Sequence, residues 1–367
     1  MLTALINGTI FTGDRELKGN AILLDGNTIA DITDTASIPE RASVIDCSGK
    51  YIAPGLLDLQ IYGAGGVLFS NEPSVKALES ITEGIVKSGT TGFVLTLATN
   101  SLEVFKETIR VAKQFRHPAF LGIHFEGPYI NPAKRGAHIL DCIKKPEINE
   151  VESLINEAGG LLKIITLAPE ITDPGVIKLL TDNGVIVSAG HSNATFEEAR
   201  AGFNNGITTV THLFNAMSPL HHREPGLPGA VFEAEKAYAS IVADGIHVAF
   251  PVVSASKKVM KERLFLITDA VVAVKEGAYI HVEQEDRYTL PDGTLSGSKL
   301  TLLKAIKNCV QHAGIPLDEA IRMASTYPAR VIGTSDRGRM EKGYRADLTL
   351  FNSDFELTDV FLGGVRQ

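Results

Sequence analysis

The sequence predicts an α/β protein built on a closed (β/α)8 barrel of the TIM type, with a small β-sandwich formed by both chain termini. Three observations predict it. From Tyr51 onward, eight short apolar runs alternate with amphipathic helical stretches, and eight such units over roughly 220 residues match a closed barrel in count and size. The rival, a doubly wound open sheet, calls for a phosphate-binding glycine fingerprint after its first strand, and no GxGxxG is present. Short β runs with turn signals stand at both ends of the chain, too few and too short to hold a core alone.

The N-terminal runs are Leu2–Ile6, Ala21–Leu24, Thr28–Ile32 and Ser43–Asp46, with turn signals at Asn7-Gly8 and Asp25-Gly26-Asn27. The barrel strands are expected at Ile52–Ile61, Gly92–Leu97, Phe120–Phe125, Leu162–Leu167, Val185–Ala189, Ile207–Leu213, Ala239–Ala243 and Leu264–Thr268. Their near-continuous apolar character suits a sheet covered on both faces. Helices are expected between them at Pro73–Lys87, Leu102–Gln114, Ile148–Asn156, Pro174–Asn183, Phe196–Asn204 and Pro251–Met260. Ser192 or Asn193 is the expected cap of the fifth.

A β excursion follows at Ala278–Leu290, with Pro291-Asp292-Gly293 as a turn, then helices around Leu300–Ala313 and Leu317–Ser325. The chain returns to β at Ala346–Asn352 and Leu357–Leu362. The expected division is a small β-sandwich of residues 1–50 plus 336–367 and a barrel over 51–335.

Composition narrows the function classes. With 44% hydrophobic residues in 367, a sizeable core is available. A net charge of −8 argues against nucleic acid or an anionic membrane as partner, while leaving room for a locally basic pocket. Cys47, Cys142 and Cys309 are odd in number and form no CxxC, which points to a reducing cytoplasm. The N-terminus lacks a signal-peptide pattern, and no apolar run approaches the roughly 18 residues of a membrane span.

In a barrel, residues just past the carboxyl ends of the strands ring one pocket. Six of the eight runs deliver an ionisable or amide group there. They are Asp58 and Gln60, with Tyr62; His124 and Glu126; His191; His212; Asp244 and His247; and Asp269. Glu126, His191 and His212 offer one oxygen and two nitrogens, the donor set of an open zinc site with one position left for water. Asp269 is placed to act as general base beside that water. Structural readings stand beside these: a core or loop role for either histidine, an internal ion pair for Glu126, a turn cap for Asp269. His124 is read as structural, and His221 and His222 are not selected as ligands. Lys134, Arg135 and Arg223 fit surface charge, although a phosphate pocket wants such a cation.

Seven segments carry a resemblance: PGLLDLQIYGAGG (54–66), HFEGPYINPAKRGAH (124–138), SAGHSNAT (188–195), THLFNAM (211–217), ADGIHV (243–248), ITDA (267–270) and GTLSGS (293–298). With GRMEKGYRADLTLF (338–351), the chain resembles the N-acetylglucosamine-6-phosphate deacetylase family of the amidohydrolase superfamily. The resemblance implies a metal-dependent barrel, ligands Glu126, His191 and His212, and Asp269 as catalytic acid/base. It implies substrate contacts at Ala137, His138, Asn215, Ala216, Arg223, His247, Leu295, Ser296 and Gly297. It also implies a homodimer in which some phosphate contacts cross the interface. The expected reaction is hydrolysis of the acetamide of N-acetyl-D-glucosamine 6-phosphate to glucosamine 6-phosphate and acetate. Alternatives are a related sugar phosphate, such as N-acetylgalactosamine 6-phosphate, or a non-catalytic scaffold.

One departure bears on metal content. Where many amidohydrolases carry HxH, this chain reads Gln60-Ile61-Tyr62, and no lysine stands at the end of the fourth strand. One divalent ion per subunit is therefore expected, zinc foremost, with iron, manganese or cobalt compatible with a His2Glu set.

Overall fold

The computed structural model describes residues 2–367. Eight parallel strands lie side by side in chain order: Leu56–Ile61, Thr90–Ala98, Phe120–Glu126, Leu162–Leu167, Ile186–Ala189, Thr209–Val210, Tyr238–Ile241 and Leu264–Leu266. The ring closes between the last strand and the first. Ile61 bridges Ala270 in parallel, Asp269 N–H donates to the Gln60 carbonyl and Tyr62 N–H to the Ala270 carbonyl, both at 3.0 Å. Buried Asp58 ties the same seam, accepting from Thr268 Oγ1 at 2.5 Å.

Helices follow the strands in turn: Val75–Lys87, Leu102–Gln114, Ile148–Ala158, Pro174–Asp182, Phe196–Asn204, Gly226–Glu233, Phe250–Met260 and Leu302–Ala313. Their apolar faces close a single core over the sheet. The fifth helix is capped by Thr195, in a capping box with Glu198, rather than by Ser192 or Asn193. Ser192 instead turns its hydroxyl to Glu170 at 2.7 Å. The sixth helix is absent from the sequence-based expectation, because GLPGAVFE carries two glycines and a proline and reads as loop.

Both chain ends supply two further sheets. One orders Thr28–Asp34, Asn20–Asp25, Leu2–Ile6 and Ser43–Asp46; the other Val365–Arg366, Leu357–Leu362, Leu348–Asn352, Lys50–Pro54, Thr9–Phe11 and Glu16–Leu17. Leu5, Ile22, Leu24, Ile52, Leu348 and Phe361 pack together in one core. The run expected as a single strand, Ile52–Ile61, divides at Gly55: residues 50–54 pair with 348–352, and 56–61 enter the barrel. A Cβ at Gly55 would meet Thr91 Oγ1 at 2.0 Å, so the crossing between the two bodies requires glycine. No helix of the described residues is long and apolar enough to cross a membrane.

Candidate active site

Glu126 is the last residue of the third strand, whereas His191 and His212 each lie two residues past theirs. The run expected at Ile207–Leu213 pairs as strand only over Thr209–Val210. His191, His212 and Asp269 all adopt left-handed backbone, with φ of 46°, 34° and 55°. Left-handed φ is uncommon outside glycine and costs conformational energy. Here it recurs just past three strand ends, and all three side chains line one cavity.

The donor atoms of Glu126, His191 and His212 lie within 4.8 Å of one another, and all three residues are buried. Glu126 Oε1 is 3.0 Å from His212 Nε2 and 3.3 Å from His191 Nε2, and the two Nε2 atoms are 3.1 Å apart. His191 Nδ1 lies 2.9 Å from the Lys134 carbonyl. A carbonyl only accepts, so Nδ1 carries the proton and Nε2 keeps its lone pair. Among the described residues, buried His212 Nδ1 has no hydrogen-bond partner. Two imidazole nitrogens and one carboxylate oxygen meeting at one point fit a divalent cation.

Electrostatics follow the same geometry. Burial pushes the Glu126 carboxyl up, but the His191 and His138 rings override it and hold it well below the usual range. Burial and the Glu126 charge both raise Asp269, against the opposing pull of His212. Asp269 Oδ1 accepts from Gln60 Nε2 at 2.7 Å. A buried carboxyl with a raised pKa takes up a proton more readily than an ordinary carboxylate, which suits it to proton transfer.

These groups line one cavity of about 360 Å3, which also reaches Ala137, His138, Asn215, Ala216, His247, Leu295, Ser296 and Gly297. Both nitrogens of His138 are engaged: Nδ1 accepts from Thr99 N–H at 3.2 Å, so Nε2–H donates to Glu126 Oε2 at 3.0 Å. His247 sits between two acceptors, Asp244 Oδ2 at 2.6 Å and the Ser296 carbonyl at 2.9 Å. Burial would lower its pKa, but the hydrogen bond and charge of Asp244 raise it, and an acceptor on each nitrogen favours the doubly protonated ring. Gly297 presses on the seam: a Cβ there would meet the Asp269 carbonyl at 2.6 Å.

Arg223 does not join this group. It is exposed on the loop before the sixth helix, beside His221 and His222. His124 lies inside the barrel, Nδ1 on the Leu59 carbonyl at 3.2 Å and Nε2 on Thr166 Oγ1 at 2.7 Å. Burial pushes its pKa down to about 4, in keeping with a structural role.

Several cavity residues were not singled out from the sequence, among them Tyr279 and His281, which come from the β excursion folded over the cavity. Their alternation in the run AYIHV, both rings on one face, was the available signal. Asn71 holds the excursion down, donating to the Tyr279 carbonyl at 2.8 Å and accepting its N–H at 3.1 Å.

Residues 51–366 match the amidohydrolase family, and residues 2–52 match the NagA composite domain. The chain is 36% identical to the N-acetylglucosamine-6-phosphate deacetylase of Haemophilus influenzae, over 99% of each. It is 33% identical to the N-acetylgalactosamine-6-phosphate deacetylase of a Shewanella species, over 86% of this chain and 83% of the relative. Among solved structures, the N-acetylglucosamine-6-phosphate deacetylase of Pasteurella multocida superposes with a TM-score of 0.96 at 35% identity, covering 100% of both chains. A point mutant of the Mycobacterium smegmatis deacetylase, in complex with N-acetyl-D-glucosamine-6-phosphate, superposes at 0.91 with 28% identity, covering 100% of this chain and 99% of that one.

Proposed function

The chain belongs to the amidohydrolase family, and we propose that it hydrolyses the acetamide of N-acetyl-D-glucosamine 6-phosphate to D-glucosamine 6-phosphate and acetate. One observation carries this reading: the donor atoms of Glu126, His191 and His212 converge within 4.8 Å in the cavity that buried Asp269 also lines.

Glu126, His191 and His212 are the residues that would hold a single divalent ion, zinc foremost, with iron, manganese or cobalt accepted by the same set. When bound, such an ion supplies Lewis acidity to a water and to the amide carbonyl. Asp269 accepts the proton of the attacking water, then returns it to the departing amine nitrogen. Gln60 keeps the carboxylate in place through Oδ1. His247 offers positive charge rather than a free N–H, because both its nitrogens already face protein acceptors. Its charge suits an anionic group of the substrate. Asn215, Ala216, Ala137, His138 and the Leu295–Ser296–Gly297 loop form the remaining walls around the sugar.

The same reading includes a homodimer in a cytoplasmic setting. Arg223 supports the dimer: exposed on its own subunit, it is free to serve the phosphate site of a second copy. Two domains are proposed, a small β-sandwich of residues 1–50 and 336–367 and a barrel within 51–335, with the pairing of residues 50–54 to 348–352 carrying the sandwich side of the boundary as far as Gly55.

The test is an acetate-release assay across N-acetylglucosamine 6-phosphate, its galacto epimer and unphosphorylated N-acetylglucosamine, with and without added divalent metal. Metal-dependent release fastest from the gluco phosphate is expected. Release fastest from the galacto epimer would reassign the substrate, and no release from any of them would refute the proposal.

A further inference from the structure

The two oxygens of Glu126 face different surroundings. Oε1 faces the Nε2 atoms of His191 and His212 and lies 2.9 Å from Gln60 Nε2. Oε2 points the other way and receives two donors, the Tyr62 hydroxyl and His138 Nε2. Tyr62 donates here because a carboxylate with His138 already on the same oxygen can only accept. The phenol oxygen is itself fixed, accepting from Gln60 Nε2 at 2.8 Å. Its ring is packed among Leu68, Ala98, Val271 and Tyr279. The phenol is 7% exposed and Gln60 2%, so water does not compete strongly for these bonds.

We propose that Tyr62 is a positioning residue for the ligand carboxylate: its hydroxyl, with His138, holds Glu126 Oε2 and dedicates Oε1 to the ion. This rests on the reading of Glu126, His191 and His212 as the metal centre. Rotating the carboxylate to present both oxygens would break the Tyr62 and His138 bonds together and leave buried donors without acceptors. The phenol also occupies space beside Oε2, together with the His138 ring. Side chains that hydrogen-bond a ligand typically change metal affinity by about 10–100-fold when removed.

The experiment uses the full chain, stripped of metal with a chelator and titrated with Zn2+ against a chromogenic competitor, for the parent and for Tyr62→Phe. The phenylalanine keeps the ring and its apolar packing and removes only the hydroxyl. The parent is expected to bind one equivalent, and the variant to bind it about 10–100-fold more weakly. Melting of the metal-free proteins is measured alongside. A merely structural hydroxyl would lower the metal-free melting temperature and leave the Zn2+ dissociation constant alone. A dissociation constant within about twofold of the parent therefore overturns the proposal, whatever the melting temperature does. A parent chain that takes up no Zn2+ fails earlier and separately, since it removes the metal centre and this proposal with it.

Discussion

Gln60 Nε2 donates to Asp269 Oδ1 at 2.7 Å across the seam that joins the first barrel strand to the last. The same amide nitrogen lies 2.9 Å from Glu126 Oε1, so one neutral side chain spans the proposed base and a proposed metal ligand. The link fixes the carboxylate of Asp269 without neutralising it. Asp269→Asn keeps an oxygen for that hydrogen bond and removes the ability to take a proton. We expect kcat to fall about 10²–10⁴-fold, the usual span for a lost general acid–base. Metal content, read by elemental analysis, should stay near the parent value. Near-parental turnover at saturating metal would assign the proton transfer elsewhere.

Metal removal tests the other half of the site. Dialysis against a strong chelator should abolish acetate release, and divalent metal should restore it with a plateau at one equivalent per chain. A plateau at two would contradict a single centre. His191→Ala removes one of two nitrogen donors but not the Glu126–His212 contact at 3.0 Å. Its activity should reappear only at much higher metal concentration, since structural partners remain while one ligand is gone.

The proposed ligands and base are legible because each lies at a local sequence feature, a polar residue at the end of an apolar run. Glu126, His191, His212 and Asp269 all follow that rule, and barrel topology converts it into a ring. What needed the fold was different in kind. The run Ile52–Ile61 looks continuous because both halves are apolar, and only pairing with Leu348–Asn352 shows that residues 50–54 belong to another sheet. The helix Gly226–Glu233 forms against its own composition because Leu227, Ala230 and Val231 are buried in the core, where tertiary packing overrides propensity. The contacts of Tyr62 with Glu126 join residues 64 positions apart, and no local pattern encodes them. Arg223 follows the sixth strand closely in sequence, yet its loop carries it outward to solvent.

That outward position makes Arg223 a discriminating probe. If it serves the phosphate of a substrate in a second subunit, Arg223→Ala should raise KM for the phosphorylated sugar about 10–100-fold, the loss of a charge-assisted contact of about 1.5–3 kcal/mol. Hydrolysis of unphosphorylated N-acetylglucosamine should change little. The solution mass should correspond to two chains, measured by light scattering. Equal effects on both sugars would remove Arg223 from phosphate recognition.

Asp58 gives a pH dependence whose sign follows from the structure. It is buried at the seam, accepts from Thr268 Oγ1 at 2.5 Å, and accepts from the backbone N–H groups of Gln60 and Thr268 at 3.2 Å each. Burial pushes its pKa from 3.8 up to about 7, against the lowering effect of those donors. Below about pH 4 the carboxyl is protonated folded or unfolded. Between there and pH 7 the folded chain holds a proton that the unfolded chain has released. The folded state therefore binds more protons, and stability from this group is fully present at acid pH and lost as pH rises towards 7. Asp58→Asn does not titrate, and its Oδ1 still accepts from the backbone N–H groups of Gln60 and Thr268. The stability of the variant relative to the parent, from urea unfolding of the metal-free proteins, should thus climb between pH 4 and 7. The slope is bounded at about 1.4 kcal/mol per pH unit. Other carboxylates, such as Asp359 held low by Lys50 and Arg366 against its burial, contribute equally to both proteins and cancel in the difference. A difference that stays flat across this range would show that Asp58 is ionised in the folded chain.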